Sequence, residues 1–139
     1  MVERTYVDVN VFVYWLAKHH KYGETAKMWV RKIEEGKRGE FLTSALTLYE
    51  LAVILAGLTG STLKNKKIIE IVVDALTNLA GLEIVSLKRE DHIATLELMD
   101  KYKLDYEDSL HLAVAMRERA TKIISNDEDF DRTPLKRIF

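Results

Sequence analysis

Four acidic residues stand where a carboxylate would either end a strand or point inward from an apolar helix. They are Asp8, Glu50, Asp108 and Asp127. A buried carboxylate is unfavourable unless positive charge compensates it. If the four converge, they indicate a divalent cation, and a cation held by carboxylate oxygens is suited to phosphate chemistry. Their convergence depends on the elements that carry them.

Short β-prone runs alternate with helical patterns along the chain. Strands are predicted over residues 5–7, 41–43, 82–87 and 122–125, with a possible short edge strand at 137–139. Helices are predicted after Asp8, over Glu24–Glu35, after Ser44 as a candidate cap, over Thr62–Leu79, over Arg89–Tyr102, and from Asp105 or Tyr106 to Arg119. In the second helix, Met28, Trp29 and Ile33 are expected to face inward. This alternation is typical of βαβ units. The sequence therefore predicts a single α/β domain over residues 1–139, a three-layer α/β/α sandwich with a four- or five-stranded parallel sheet.

The predicted sheet brings part of the acidic set together. Ligands bind beyond the carboxyl ends of parallel strands, near the point where the strand order reverses. Asp8 and Asp127 follow predicted strands and lie on that edge, and Asp108 lies in the first turn of a helix that starts near it. Glu50 lies about two turns into its helix, so it reaches the edge only if that helix crosses over it.

Each acid also has a structural explanation when it is considered alone. Asp8 could cap the first helix, Asp108 could interact with a helix dipole, and Asp127 could belong to an ordinary turn. Glu50 is harder to explain in this way, because it interrupts an apolar helix. Two of the acids are fixed to one edge by independent strand endings, and this favours the functional interpretation of the set.

Other polar residues near these positions are expected to have supporting or solvent-facing roles. His111 shares a helix face with Asp108, and it is either a supporting residue of the site or a hydrogen-bonded core histidine. Asp105 is expected to cap its helix, and Asp129 to shape the loop after the fourth strand. The Lys18–Lys21 cluster with Tyr22 could contact phosphate, although a solvated surface is the favoured interpretation.

Four segments carry a resemblance to a known family. They are Tyr6–Asn10, Leu48–Leu51, Leu104–Ala113 and Ile123–Asp131. In order and spacing they resemble the PIN-domain family, and its VapC-type toxin nucleases in particular. The resemblance implies an endoribonuclease that hydrolyses RNA phosphodiester bonds with Mg²⁺ or Mn²⁺. It also implies that Asp8, Glu50, Asp108 and Asp127 form the catalytic and metal-binding quartet, with Asn10 and Ser125 as supporting polar residues.

The resemblance further implies partners. A toxin of this kind is expected to bind RNA and a small antitoxin protein, and to form a homodimer, for which Leu46–Leu58 and the first helix are candidate surfaces. Alternatives are a PIN-domain RNA-processing nuclease without an antitoxin, an inert binding module, and a phosphotransfer receiver. The receiver fits less well, because Asp8 has no adjacent acid and the loop after Ser125 has no lysine.

Composition limits the remaining possibilities. The formal net charge of −1 over 139 residues gives no overall basic footprint, so nucleic-acid contact must come from a local patch. The absence of cysteine excludes disulfides and thiolate metal sites. No apolar stretch is long enough for a bilayer, and no export signal is visible, so a cytoplasmic location is expected.

Overall fold

In a computed structural model, which describes residues 2–139, five parallel strands form one sheet with helices on both faces. The strands are β1 (Thr5–Val7), β2 (Phe41–Ser44), β3 (Leu82–Val85), β4 (Lys122–Ile124) and β5 (Lys136–Ile138). The helices are α1 (Val9–Leu16), α2 (Gly23–Glu35), α3 (Ala45–Leu58), α4 (Lys66–Thr77), α5 (Arg89–Tyr102) and α6 (Tyr106–Arg117), and a 3₁₀ helix spans Glu128–Arg132. The predicted α/β/α sandwich is confirmed, with five strands in its sheet.

The strand order places β1 at the centre of the sheet. The order is β3-β2-β1-β4-β5, so the chain builds outward from β1 on one side and then returns to its other side. Tyr6 pairs with Ile123 and Val7 with Ile124 in the β1–β4 ladder. The strand order reverses at this pair, so the carboxyl ends of β1 and β4 form the edge where a ligand site is expected.

Alternating side chains of β1 enter two separate cores. Val7 packs on the side of α1, α2, α3 and α4, where Phe12, Ile33 and Leu51 are fully buried. Tyr6 enters the opposite core, which is formed mainly by α5, α6 and the 3₁₀ helix. Successive strand residues point to opposite faces, so this central strand is buried on both sides. The buried strand therefore holds Asp8, which directly follows it, in a fixed position.

Three local expectations are wrong. Helix α4 begins at Lys66 instead of Thr62, because the Asn65 side chain accepts a hydrogen bond from the Lys67 amide at 3.1 Å and caps the helix. Met28 is 59% exposed and does not face inward, although Ile33 is buried and Trp29 packs partly against the core as predicted. Ser44 stands at the cap position of α3, but its side chain forms no cap hydrogen bond.

Gly81 is required by a close approach of two backbone segments before β3. A Cβ atom at this position would lie 1.9 Å from the carbonyl oxygen of Ile33, at the end of α2. We expect Gly81→Ala to lower the free energy of unfolding by about 2–3 kcal/mol, since backbone must shift to admit the methyl group. Urea denaturation measures the effect. Gly57→Ala is the matched control, because open space surrounds Gly57 in α3 and alanine favours helix. Equal stability of the two variants would contradict the steric explanation.

Within residues 2–139, no helix has the length and apolar character needed to cross a membrane.

Candidate active site

Asp8 is buried at the carboxyl end of β1, with a side chain that is 4% exposed. Its amide donates to the carbonyl of Ile124 at 3.0 Å, which ties it to β4. Its Oδ1 accepts from the amide of Val9 at 2.8 Å, so Asp8 also caps α1. Its Oδ2 accepts from Ser125 Oγ at 2.6 Å and from Asn10 Nδ2 at 3.2 Å. Asp8 therefore has the capping role considered above and also lies on the predicted sheet edge.

Asn10 and Ser125 connect Asp8 to the loop that follows β4. Ser125 Oγ accepts from the amide of Asp127 at 3.0 Å and from Asn10 Nδ2 at 3.3 Å. Asn10 Oδ1 accepts from the amide of Asn126 at 3.4 Å. These hydrogen bonds fix the start of the loop relative to Asp8, and through it the position of Asp127.

A second group of carboxylates lies beside this loop. Asp108, Asp127 and Asp129 each offer one carboxylate oxygen, and these oxygens lie within 4.8 Å of one another. Asp108 comes from the first turn of α6, where Asp105 Oδ1 accepts from its amide at 2.8 Å. Asp127 caps the 3₁₀ helix by accepting from the amide of Asp129 at 2.9 Å. The three oxygens are close enough to bind one cation.

Asp129 was not predicted to belong to this group, and of the predicted acids neither Asp8 nor Glu50 contributes an oxygen to it. The sequence does contain a signal for Asp129, since Asp127 and Asp129 are separated by one residue in a loop after a strand. Asp129 also accepts from Arg132 Nη1 at 3.2 Å. Its carboxylate is therefore shared between the acidic group and a neighbouring cation.

Glu50 reaches the site region through His111. The Glu50 side chain is 8% exposed, and its Oε1 contacts Nε2 of His111, which is 1% exposed. His111 Nδ1 lies 2.6 Å from the hydroxyl of Tyr6, and that hydroxyl donates to Ser44 Oγ at 2.9 Å. This chain of contacts runs from α3 through α6 to β1 and β2. Of the two possibilities for His111, the structure supports a hydrogen-bonded core histidine that also contacts a predicted site residue.

Burial and like charge perturb the titratable groups at this edge. Burial raises the pKa of Asp8, while the nearby His111 and Ser125 oppose the increase. Burial, together with the charges of Asp105, Asp127 and Asp8, raises the pKa of Asp108 to about 7. Although burial alone would lower the pKa of His111, Tyr6, Glu50 and Asp8 raise it well above its usual value. The site therefore has excess negative charge, which a cation would neutralise.

Ser109, next to Asp108 on α6, has a buried hydroxyl without a hydrogen-bond partner among residues 2–139. We expect Ser109→Ala to raise the free energy of unfolding by about 0.5–1 kcal/mol, because the variant removes an unsatisfied polar group and alanine favours helix. Thermal denaturation in the presence of EDTA measures the change. Ser125→Ala is the contrasting control, because Ser125 is also fully buried but bonds Asp8, and its loss should be destabilising. A loss of stability in Ser109→Ala would contradict the expectation.

Comparisons with known proteins agree with this fold. The sequence matches the PIN domain family over residues 5–136. The structure is similar to the VapC20 toxin of Mycobacterium tuberculosis, which cleaves the sarcin-ricin loop, with a TM-score of 0.72, 14% identity and coverage of 95% of this chain and 98% of that one. It is also similar to VapBC2 from Rickettsia felis bound to promoter DNA, with a TM-score of 0.67, 22% identity and coverage of 99% and 98%.

A toxin–antitoxin complex from Klebsiella pneumoniae has a TM-score of 0.62 and 18% identity, with 95% of this chain and 98% of that chain covered. A search of curated proteins found no match. At these identities the solved structures establish a shared fold, whereas the family match covers nearly the whole sequence. The chain therefore belongs to the PIN domain family.

Proposed function

We propose that this protein is a divalent-metal-dependent endoribonuclease and the toxin of a toxin–antitoxin pair. The observation that carries the proposal is the meeting of Asp108, Asp127 and Asp129 at the sheet edge where Asp8 is buried. Membership of the PIN domain family supports nuclease chemistry. The structural similarity to VapC20, a toxin that cleaves the sarcin-ricin loop, supports RNA as the substrate.

The donor set at this edge fits Mg²⁺ or Mn²⁺. Every candidate ligand atom is a carboxylate oxygen, the kind of ligand that these cations prefer. The pKa of Asp108, raised to about 7 by burial and three neighbouring acids, indicates a site that is unfavourable without a cation. When bound, the cation would supply positive charge beside the scissile phosphate. It would also lower the pKa of a bound water, so that hydroxide is available near neutral pH.

The protein's own residues have separate roles in this proposal. Asp8, Asp108 and Asp127 hold the cation, and Asp129, whose carboxylate is shared with Arg132, adds a further ligand oxygen. Asn10 and Ser125 keep the loop of Asp127 in register with Asp8. Hydrogen bonds of this kind fix the ligands before substrate arrives, which reduces the ordering needed in the reaction.

Glu50 is assigned to positioning and electrostatics. Its carboxylate is engaged by His111, so it is not a free general base in this arrangement. The charge of His111 lowers the pKa of both Asp8 and Asp108, although Glu50 itself opposes this effect at Asp8. We propose that Glu50 holds His111 in place and thereby moderates the repulsion among the metal-binding acids.

An antitoxin partner and a homodimer complete the proposal. VapBC2 and the Klebsiella pneumoniae complex support the antitoxin, and an acidic edge would attract a basic side chain of such a partner. The outer face of α3 supports self-association, because Tyr49 is 57% exposed and Val53 is 45% exposed. Light scattering of the purified protein tests the dimer, and co-purification with the product of an adjacent reading frame tests the antitoxin.

The decisive experiment is RNA cleavage by the purified protein. Transfer RNA, ribosomal RNA and synthetic RNA are incubated with Mn²⁺, with Mg²⁺ and with EDTA, beside the Asp108→Asn variant. We expect cleavage that requires the metal and Asp108. In parallel, Mn²⁺ should raise the melting temperature of the wild-type protein and not of the variant. Absence of both cleavage and metal stabilisation would favour an inert binding module.

A further inference from the structure

A cluster of aromatic rings lies beside the acidic edge and has no part in the roles described above. It is formed by the α1–α2 turn, defined as residues 17–22, together with Tyr14 of α1. The Tyr14 hydroxyl accepts from Asn126 Nδ2 at 3.1 Å. Asn126 directly precedes Asp127, so the cluster contacts the loop that supplies the acidic group. A molecule that crosses this cluster therefore passes close to the candidate reaction site.

Three rings of this turn form a continuous stack. The rings of His19 and His20 have centroids 4.9 Å apart and an interplanar angle of 16°. His19 also stacks on Tyr22, at 5.2 Å and 22°. His20 is exposed, whereas His19 and Tyr22 are half-buried. His20 is therefore the most exposed ring of the stack. Another planar group could stack on it.

The backbone holds this stack in place. The amides of Lys21 and Tyr22 both donate to His19 Nδ1 at 3.1 Å, which fixes the central ring. The amide of His19 donates to the carbonyl of Tyr14 at 3.0 Å, and the amide of Gly23 donates to the carbonyl of His19 at 2.8 Å. A platform that is already ordered loses little entropy when it binds a ligand.

Unpaired positive charge surrounds the platform. Lys18 and Lys21 are exposed, and neither forms an ion pair within residues 2–139. Lys18 adopts a left-handed backbone conformation with φ of 52°, at the point where the turn leaves α1. Lys21 Nζ lies 5.2 Å from the centroid of the Tyr22 ring. In a protein with a net charge of −1, this is a local basic patch of the kind that nucleic-acid contact requires.

We propose that the α1–α2 turn binds the single-stranded RNA substrate next to the acidic edge, with a base stacked on His20 and backbone phosphates held by Lys18 and Lys21. The inference rests on the proposed nuclease function. Stacked aromatic rings bind bases of any sequence, and lysines neutralise phosphates. The turn would therefore hold the RNA strand without selecting its sequence, and it would give a protein with a net charge of −1 a local site for a polyanion.

The stacking contact is tested by RNA binding in the Asp108→Asn background, which prevents cleavage. Fluorescence anisotropy of a short labelled single-stranded RNA reports affinity in Mg²⁺. We expect His20→Ala to weaken binding about ten-fold, and His20→Trp to preserve or strengthen it, since a larger ring extends the stack. A role that depended on the imidazole itself, or on the fold, would make His20→Trp as weak as His20→Ala.

The phosphate contacts are tested by salt dependence. Lys21→Ala should weaken binding several-fold at low salt and reduce the slope of log affinity against log salt by about 0.7. Lys64→Ala with Lys67→Ala is the matched control, because these lysines are exposed at the start of α4 and form no ion pair within the described residues. The control should bind RNA like its parent, and circular dichroism verifies the fold of every variant.

The outcomes separate this inference from the proposed function. If the wild-type protein cleaves RNA while His20→Ala and Lys21→Ala bind RNA within two-fold of their parent, the α1–α2 turn is not the strand-binding site and the nuclease proposal stands. If the Asp108→Asn parent fails to bind RNA, the inference that the α1–α2 turn binds RNA is also overturned. If the variants weaken binding but the wild-type protein cleaves no RNA under any metal condition, the binding site is supported and the nuclease proposal fails.

Discussion

Replacing Asp108 with asparagine should abolish RNA cleavage and, in the same molecule, stabilise the metal-free fold. We expect activity to fall by at least about a thousand-fold, because Asp108 is one of three acids whose oxygens converge at the candidate cation site. We expect the melting temperature in EDTA at pH 8 to rise by roughly 5–10 °C. The increase corresponds to about 2 kcal/mol, after allowance for the solvent screening of a partly exposed group.

The stabilisation has a definite pH dependence. The folded-state pKa of Asp108 is about 7, well above the ordinary aspartate value of 3.8 that applies to the unfolded chain. Folding therefore favours the protonated acid, and the wild-type protein loses stability as pH rises from about 4 to 7. The melting temperatures of the variant and the wild-type protein should diverge over this range and remain apart above it. Thermal denaturation in EDTA at several pH values measures the divergence.

Glu107→Gln is the matched control for this experiment. Glu107 is the exposed neighbour of Asp108 in the same helical turn. The control should retain cleavage and show no comparable gain in stability. The proposed role of Asp108 would be contradicted by cleavage within ten-fold of the wild-type rate in purified Asp108→Asn. The electrostatic explanation would be contradicted by a stability difference that does not change with pH.

His111→Ala should cause the largest loss of stability among these variants, about 3–5 kcal/mol. The substitution breaks a buried pair and leaves Glu50 without its partner. It also removes a ring that packs edge-on against Tyr6, with centroids 5.6 Å apart, and leaves a cavity between α6 and β1. Urea denaturation measures the loss. Comparison with Glu50→Gln and with the double variant gives the coupling energy, and the double variant should cost less than the sum of the single variants.

The pH dependence of this second effect lies in a different range. The folded-state pKa of His111 is raised well above the ordinary histidine value of 6.5. Its stabilising charge is therefore fully present below about pH 6.5 and is lost as pH rises towards the folded-state value. The stability gap between wild-type protein and His111→Ala should be widest in mild acid and narrower in alkali. A gap that is independent of pH would show that only packing is involved.

Local patterns were sufficient to predict most of the fold. The predicted bounds are confirmed for the strand Thr5–Val7 and for the helix Arg89–Tyr102. In both cases the residues that directly flank the element in the sequence mark where it ends. One member of the predicted inward face of α2 is wrong, since Met28 is apolar but lies on the exposed side of the helix. Ser44 was predicted to cap α3 because it directly precedes the helix. Its hydroxyl instead accepts from Tyr6, a residue of the neighbouring strand.

The candidate site was predictable to the extent that strand endings determine it. Asp8 and Asp127 follow β1 and β4 directly, so parallel pairing was enough to bring their loops to one edge. The contact between Glu50 and His111 joins residues 61 positions apart and depends on the tertiary positions of α3 and α6, which no local pattern encodes. Asp129 was overlooked because it is an exposed loop residue, and its contribution appears only when the 3₁₀ helix turns it towards Asp127.

The pairing of β1 with β4 also determines when during synthesis the acidic edge can assemble. Asp8 precedes its partner Ser125 by 117 positions, and the acids Asp127 and Asp129 follow Ser125. A nascent chain that lacks β4 and the loop after it has neither the central β1–β4 ladder nor the acidic group. On the proposed function, RNA cleavage would therefore require that β4 and the loop after it have been synthesised and have paired with β1, so translation order itself delays the appearance of activity.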